Sequence, residues 1–329
     1  MKNWILPLTL FFVTASYCLA AIVSPVLAQQ VSLSISPPLL QLVMKPGASI
    51  LIAYRVENKG DPVILNSYLR NFESSDSLGK ISIKNNLEGP IRFSLENSNL
   101  KLEEPFFLKT NDSTQLLLRI RAPEGAPEGD YYHTLLVESQ PSANYEGSVF
   151  SQAKATIGSN ILITVSTDGQ VEAKGKIIGF SVLGGIRLPF FKLPVQFFDS
   201  FDKIPVLLRL ENNGRNLITP TGNISLIGSF GEKAVYDIQS EDVLSQSSRV
   251  LHATPSAQLA NPPLASVILS GFFIGKYKLV SQVSLGEGVP NLYAADSFIA
   301  LPIRIAVGLL SVFGVIVLII KRLKNISGL

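Results

Sequence analysis

The chain has one cysteine, two histidines, one tryptophan and two methionines among its 329 residues, and only 16% of it is charged. With Cys18 alone, no intrachain disulfide forms, and stability has to come from burial. Two histidines, His133 and His252, with no Cys-based or His-x-x-x-His spacing, leave no familiar zinc set and no thiol nucleophile beyond Cys18. A Gly-rich phosphate loop is missing. No Lys/Arg-rich patch invites nucleic acid. Glu103–Glu104 and Glu241 read as ordinary solvated acids, and His133 and His252 as partly exposed scaffold positions. Glu124, Glu128 and Asp130 lack the spacing of a calcium loop. Carboxylate pairs of glycosidase type stay open, because their partners meet only in space. No residue is assigned as catalytic, cofactor-binding or metal-ligating, and no cofactor is expected.

Two long apolar runs frame the chain. The first follows "MKN" and ends at "SPVLA", the pattern of a secretory signal peptide over residues 1–28 with cleavage after Ala28. The second, "IAVGLLSVFGVIVLII", covers Ile305–Ile320, and residues 302–320 are expected to form a transmembrane helix. Lys321, Arg322 and Lys324 follow it in a short tail, residues 321–329, that the positive-inside rule assigns to the cytoplasm. Arg304 is expected to reach the outer headgroups. Of 28 basic residues, Lys2, Arg304, Lys321, Arg322 and Lys324 lie at these ends; the 23 that remain face 25 acids, so the part between is nearly neutral. The expected topology is single-pass in the cell membrane, with the N-terminus outside.

Between the runs, side chains alternate with a period of two. "VSLSISP", "LLLRIR", "NISLIGSF" and "KYKLVSQVSL" each place apolar residues on one face of an extended strand. "KPG", "NKGDP", "EGP", "PEGAPEGD" and "NNG" punctuate them as turns. Many short strands with Gly, Pro and Asn corners predict antiparallel β-sandwiches of the Ig-like kind.

Two phrases recur in order. "RVENKG" (Arg55–Gly60) returns as "RLENNG" (Arg209–Gly214), and "GDY" at Gly129–Tyr131 returns as "GKY" at Gly275–Tyr277. The repeat predicts two copies of one domain, residues 31–167 and 175–300, the second next to the membrane. The Asn-x-Gly corners are expected to reverse the chain through positive φ. Tyr131 or Tyr132 is expected to bury its ring and bond nearby backbone as a tyrosine corner. Asn111 and Asn223 begin Asn-x-Ser sequons.

The densest aromatic stretch is "LPFFKLPVQFFDSFDKIP", with Phe190, Phe191, Phe197, Phe198 and Phe201. It is either packed structure, a seam or a strand pair, or an exposed patch that grips a partner or the membrane surface.

"LLRIRAPEGAPEGDYYHTLLVES", followed by "ATIGSNILITVSTDGQ", resembles the N-terminal Ig-like domain of bacterial WxL-interacting cell-surface proteins. "LRLENNGRNLITPTGNISLIGSFGEK" is similar to the second Ig-like module of such membrane-anchored proteins, departing from it at "GRN". The resemblance implies a surface-binding protein whose ligand is peptidoglycan, another cell-wall polymer or a surface protein. It transfers no individual binding residue. The leading expectation is therefore a non-enzymatic, membrane-anchored binding or scaffold protein. The alternatives are an Ig-like assembly chaperone that exchanges an edge strand with pilus-type subunits, and a carboxylate-dependent cell-wall glycan hydrolase.

Overall fold

A computed structural model describes residues 30–140, 154–186, 196–254 and 265–326. The expected signal peptide lies outside these residues. The described chain is two β-sandwiches followed by one apolar helix.

In the first sandwich, β1 (Leu33–Ser36), β3 (Ser49–Asn58), β8 (Asp112–Arg121) and β6 (Arg92–Leu95) form one sheet in that spatial order. The facing sheet runs β2 (Leu39–Met44), β10 (Thr156–Val165), β9 (Gly129–Ser139), β4 (Val63–Ser74) and β5 (Ile81–Ile83), with β7 (Pro105–Leu108) also on β4. The alternation read from sequence appears directly in β8, where Leu116, Leu118 and Ile120 are fully buried and Arg119 and Arg121 face solvent. They pack with Tyr54, Val56, Leu65, Leu135, Val137, Ile161 and Ile163 into the core between the sheets.

β1 and β2 are one extended strand split between the two sheets. β1 is antiparallel to β3, and β2 is parallel to β10. Pro37 and Pro38, which have no N–H to give a ladder, occupy the crossing.

The second sandwich repeats this plan. β11 (Gly175–Val182) pairs antiparallel with β13 (Ile204–Asn212), then β12 (Gln196–Asp199) pairs parallel with β20 (Leu292–Leu301). Next to β20 come β19 (Gly275–Ser284), β14 (Thr221–Gly228), β15 (Lys233–Ile238) and β17 (Ala253–Thr254). The place of β8 is taken by two short strands on β13, β16 (Ser248–Val250) and β18 (Val267–Leu269). The Phe-rich stretch thus spans the second strand switch. Phe190 and Phe191 lie outside the described residues.

The repeated corners end β3 and β13, but neither Gly60 nor Gly214 has positive φ, contrary to the expectation from sequence. The chain turns around a buried asparagine instead. Asn58 Oδ1 accepts the Gly60 N–H at 2.9 Å while its amide donates to the carbonyls of Asp61 (2.7 Å) and Lys109 (3.2 Å). Asn212 does the same with the Gly214 N–H (3.0 Å) and the carbonyls of Asn216 (2.8 Å) and Val243 (3.0 Å). Glycine is required at 60 for space: a Cβ there would lie 2.1 Å from the Gln30 carbonyl oxygen.

Helix α1 (Ile303–Ile326) begins two residues after β20. Its Ile303–Leu323 stretch has a mean hydropathy of 2.7 and is not buried. At ~1.5 Å per residue, it is long enough to cross a ~30 Å hydrocarbon layer.

Candidate functional site

The pairing register lays out the outer face of the β2-β10-β9-β4 sheet in rows. Phe72, Tyr132, Leu162 and Gln41 form one row; the next are Arg70–Thr134–Asn160, Tyr68–Leu136–Gly158 and Asn66–Glu138–Thr156. The two ends of this face have different fates.

The Phe72 end docks against the second sandwich. Asp130 is the hub of that seam. Its carboxylate accepts from Tyr132 Oη (2.8 Å) and Thr164 Oγ1 (2.7 Å) within its own domain, and from Asn216 Nδ2 (3.0 Å) and the Leu217 N–H across the seam. Tyr132 Oη in turn accepts the Ser245 N–H at 2.8 Å. Burial is the main cause that pushes the Tyr132 phenol well above the usual range, with the adjacent Asp130 adding to it. Gln41 donates to Asp242, and the Val250 N–H of β16 donates to the Ser77 carbonyl at 2.6 Å. Gly79 admits the Arg249 guanidinium, since a Cβ there would lie 2.7 Å from Arg249 Cζ.

The cavity left at this seam, between Phe72, Leu162, Val243 and Arg249, holds about 170 Å³. Small-molecule sites usually occupy ~300–1,000 Å³. The contacts of this seam hold the two sandwiches together.

The Tyr68 end of the face is open. A shallow trough of about 720 Å³ runs past Asn66, Tyr68, Arg70, Leu136, Glu138 and Lys154. Tyr68 donates to Glu138 Oε2 at 2.6 Å, and Lys154 pairs with the other Glu138 oxygen at 2.8 Å. Burial first, then the Glu138 carboxylate, pushes the Tyr68 hydroxyl up to about 12. The Arg70 guanidinium lies 4.6 Å from the Tyr68 ring centre. That ring face is therefore occupied and cannot stack on a sugar.

Beside the trough is an incomplete sheet edge. β10 pairs with β9 from Thr156 to Val165, but with β2 only from Asn160 onward. The Ala155 carbonyl accepts from the Ser139 N–H (2.8 Å), toward β9, whereas the Asn160 N–H donates outward to the Pro38 carbonyl (3.1 Å). Alternation then turns the N–H and C=O of Thr156 and Gly158 outward. Among the described residues no strand pairs with them, because the chain crosses to β3 at Pro37–Pro38. Sequence reading did not single out this edge; the signal was the Pro-Pro dipeptide inside an otherwise alternating run.

The sequence-predicted residues are dispersed. Phe198 is buried in the second core, edge-on to Phe298 at 5.8 Å. Phe197 is half-buried, and Phe201 is exposed and packs on Phe272 at 5.1 Å. Tyr131 makes the expected corner, donating to the Pro127 carbonyl at 2.8 Å. His133 is not partly exposed. It is fully buried against Phe93, 4.8 Å between ring centres, and neither ring nitrogen has a hydrogen-bond partner. Burial lowers its pKa to about 4. His252 Nδ1 lies 2.9 Å from Glu241, which also pairs with Arg249 at 3.2 Å. Among the described residues no group of three or more His, Cys, Asp or Glu is placed to hold a metal ion.

No protein-family profile and no curated protein matches this chain. Its fold is similar to solved two-domain chaperones. The YadV chaperone is 13% identical with a TM-score of 0.34, covering 80% of this chain and 98% of its own. The class 5 fimbriae chaperone CfaA is 11% identical with a TM-score of 0.35, covering 82% and 100%. The E. coli chaperone DraB is 14% identical with a TM-score of 0.34, covering 80% and 96%. The likeness is one of fold and transfers no residue.

Proposed function

We propose that this chain is a non-enzymatic, membrane-anchored protein that holds an extended segment of a partner protein on the edge of its first sandwich, outside the cell membrane. The observation that carries this reading is the incomplete edge of β10 at Thr156–Gly158. Outward N–H and C=O groups recruit an extended chain by strand addition, with affinity from main-chain bonds and selectivity from neighbouring side chains. The clasp around Asp130 supports it, because a rigid second domain holds the edge at a set distance from the helix. Carboxylate and alkyl groups of the trough, from Glu138 to Leu136, lie beside the path of the added strand. This reading takes the assembly-chaperone alternative over the scaffold for cell-wall polymer, since among the described residues the trough offers one aromatic ring, Tyr68, and Arg70 already lies on it. The anchor is α1, with Lys321 and Arg322 on the cytoplasmic side.

The test is strand capture by the full chain in detergent micelles, using fluorescent ten-residue peptides of alternating apolar and polar residues. Thr156→Pro removes an outward N–H without touching the ladder to β9, and should lower affinity several-fold to about tenfold, the loss of one backbone hydrogen bond. Thr156→Val should bind normally. Equal binding by Thr156→Pro, or sedimentation with peptidoglycan without any peptide capture, would overturn the reading.

A further inference from the structure

We infer that the end of the second sandwich from which α1 emerges is seated in the lipid surface, its exposed aromatic residues dipping into the membrane–water interface. This rests on the reading of α1 as a membrane anchor. Only Pro302 stands between the last strand residue, Leu301, and the first helical residue, Ile303. Two residues span at most ~7 Å, so whatever surrounds Leu301 lies within a few ångströms of the level at which the apolar helix begins.

What surrounds it is apolar. Leu301 pairs with Asp199 on β12, and the Ser200 N–H donates to the Leu301 carbonyl at 3.0 Å. The next residue, Phe201, is 53% exposed and packs on Phe272, which is 54% exposed. The Phe273 N–H returns to the Ser200 carbonyl at 2.9 Å, which ties the Phe272 loop to the same edge. On the other side Gly275 pairs with Ala300, and a Cβ on Gly275 would lie 3.2 Å from the ring of Phe230, itself 75% exposed. Ile274 and Leu301 are exposed between them. Five large apolar side chains from three loops and a strand end thus ring the helix root.

The charges around this collar suit a lipid headgroup layer. Asp199 and Asp202 are occupied by Arg304: the Arg304 N–H donates to Asp199 Oδ2 at 2.8 Å, and its guanidinium lies 2.7 Å from Asp202 Oδ1. Arg304, expected to reach headgroups by itself, is bound to the sandwich and locks the helix to it. Lys203, Lys233 and Lys276 flank the collar and are exposed, and none has an acidic partner among the described ion pairs; against these three stands one exposed acid, Glu232, which accepts the Phe230 N–H at 3.0 Å. Apolar side chains at the acyl boundary with lysines above them is the arrangement of proteins that lie in an anionic interface. Exposed phenylalanines grouped in this way mark a surface that is covered in use, and the root of the helix puts lipid nearest to it.

The test uses the full chain in vesicles of phosphatidylcholine and phosphatidylglycerol. In a Trp4→Phe background, which removes the one native tryptophan, single tryptophans are placed by Phe272→Trp, Phe230→Trp and, as a control on the first sandwich, Leu51→Trp. Lipids brominated in the acyl chain should quench the collar tryptophans about threefold more than the control. Thermal melting checks that each variant keeps its fold. If the chain does not float with vesicles, the anchor reading fails and the inference with it. If it floats but the collar tryptophans are quenched no more than Leu51→Trp, the seating is refuted while the anchor stands. Crosslinked dimers through Phe272 with no lipid quenching would also refute it and assign the collar to a second copy.

Discussion

The Asp130 carboxylate of the first sandwich and the Asn216 amide of the second meet at 3.0 Å, and the same carboxylate gathers three further donors. One acid therefore holds two domains in a set orientation. Asp130→Ala should strand the Leu217 N–H and the Asn216 amide and cost about 1–3 kcal/mol. The readout is small-angle scattering, where the variant should show a broader distribution of interdomain distances, with limited proteolysis faster between residues 166 and 175. An unchanged scattering profile would mean that Gln41, Ser77 and Arg249 suffice to hold the seam.

His133 makes stability fall in acid. Its folded pKa, about 4, lies below the ordinary ~6.5, because burial penalises the imidazolium. Above pH ~6.5 the histidine is neutral in both states and contributes no pH dependence. As pH falls from ~6.5 to ~4 the unfolded chain takes up a proton that the folded one refuses, and stability drops by roughly 3 kcal/mol. Urea unfolding at pH 7.5 and pH 4.5 measures the drop. His133→Leu should remove most of it, and an equally steep acid limb in that variant would place the titration elsewhere.

The two buried asparagines should behave alike. Asn58→Ala and Asn212→Ala each leave a glycine N–H and buried carbonyls without partners, at about 1–3 kcal/mol apiece by chemical denaturation. Gly60→Ala should be worse than either, since its Cβ would meet backbone at 2.1 Å and no side chain can move aside. If Gly60→Ala were neutral, the chain before β1 would have to be loosely held.

Asp199 couples helix α1 to the second sandwich. The Arg304 N–H is the main cause that holds its carboxyl below the usual range, so the cap on α1 is present above that range and is lost as pH falls through the lowered value. Asp199→Asn should loosen the root of the helix. A spin label at Ile305 should report faster motion in vesicles, whereas Lys59→Gln, on the first sandwich, should leave it unchanged.

The period-two patterning of β8 or β19 was readable because a sheet with one wet face must alternate. The doubled corner phrase marked two sandwiches of related plan, which share the strand switch between sheets but not every strand. The apolar run before Lys321 announced a helix, since a continuous run of that length suits no strand. These features are local: each follows from spacing along a few residues. The role of Asp130, the burial of His133 and the gathering of Phe201, Phe230 and Phe272 around Leu301 are of another kind. They depend on residues far apart in the sequence meeting across a seam, a core or a sheet end, and no periodicity records which strands become neighbours. The asparagine corners show the difference within six residues. The sequence said that the chain turns at Asn-x-Gly, but whether glycine was there for its φ or for room was decided by the Gln30 carbonyl, which arrives from the segment before β1.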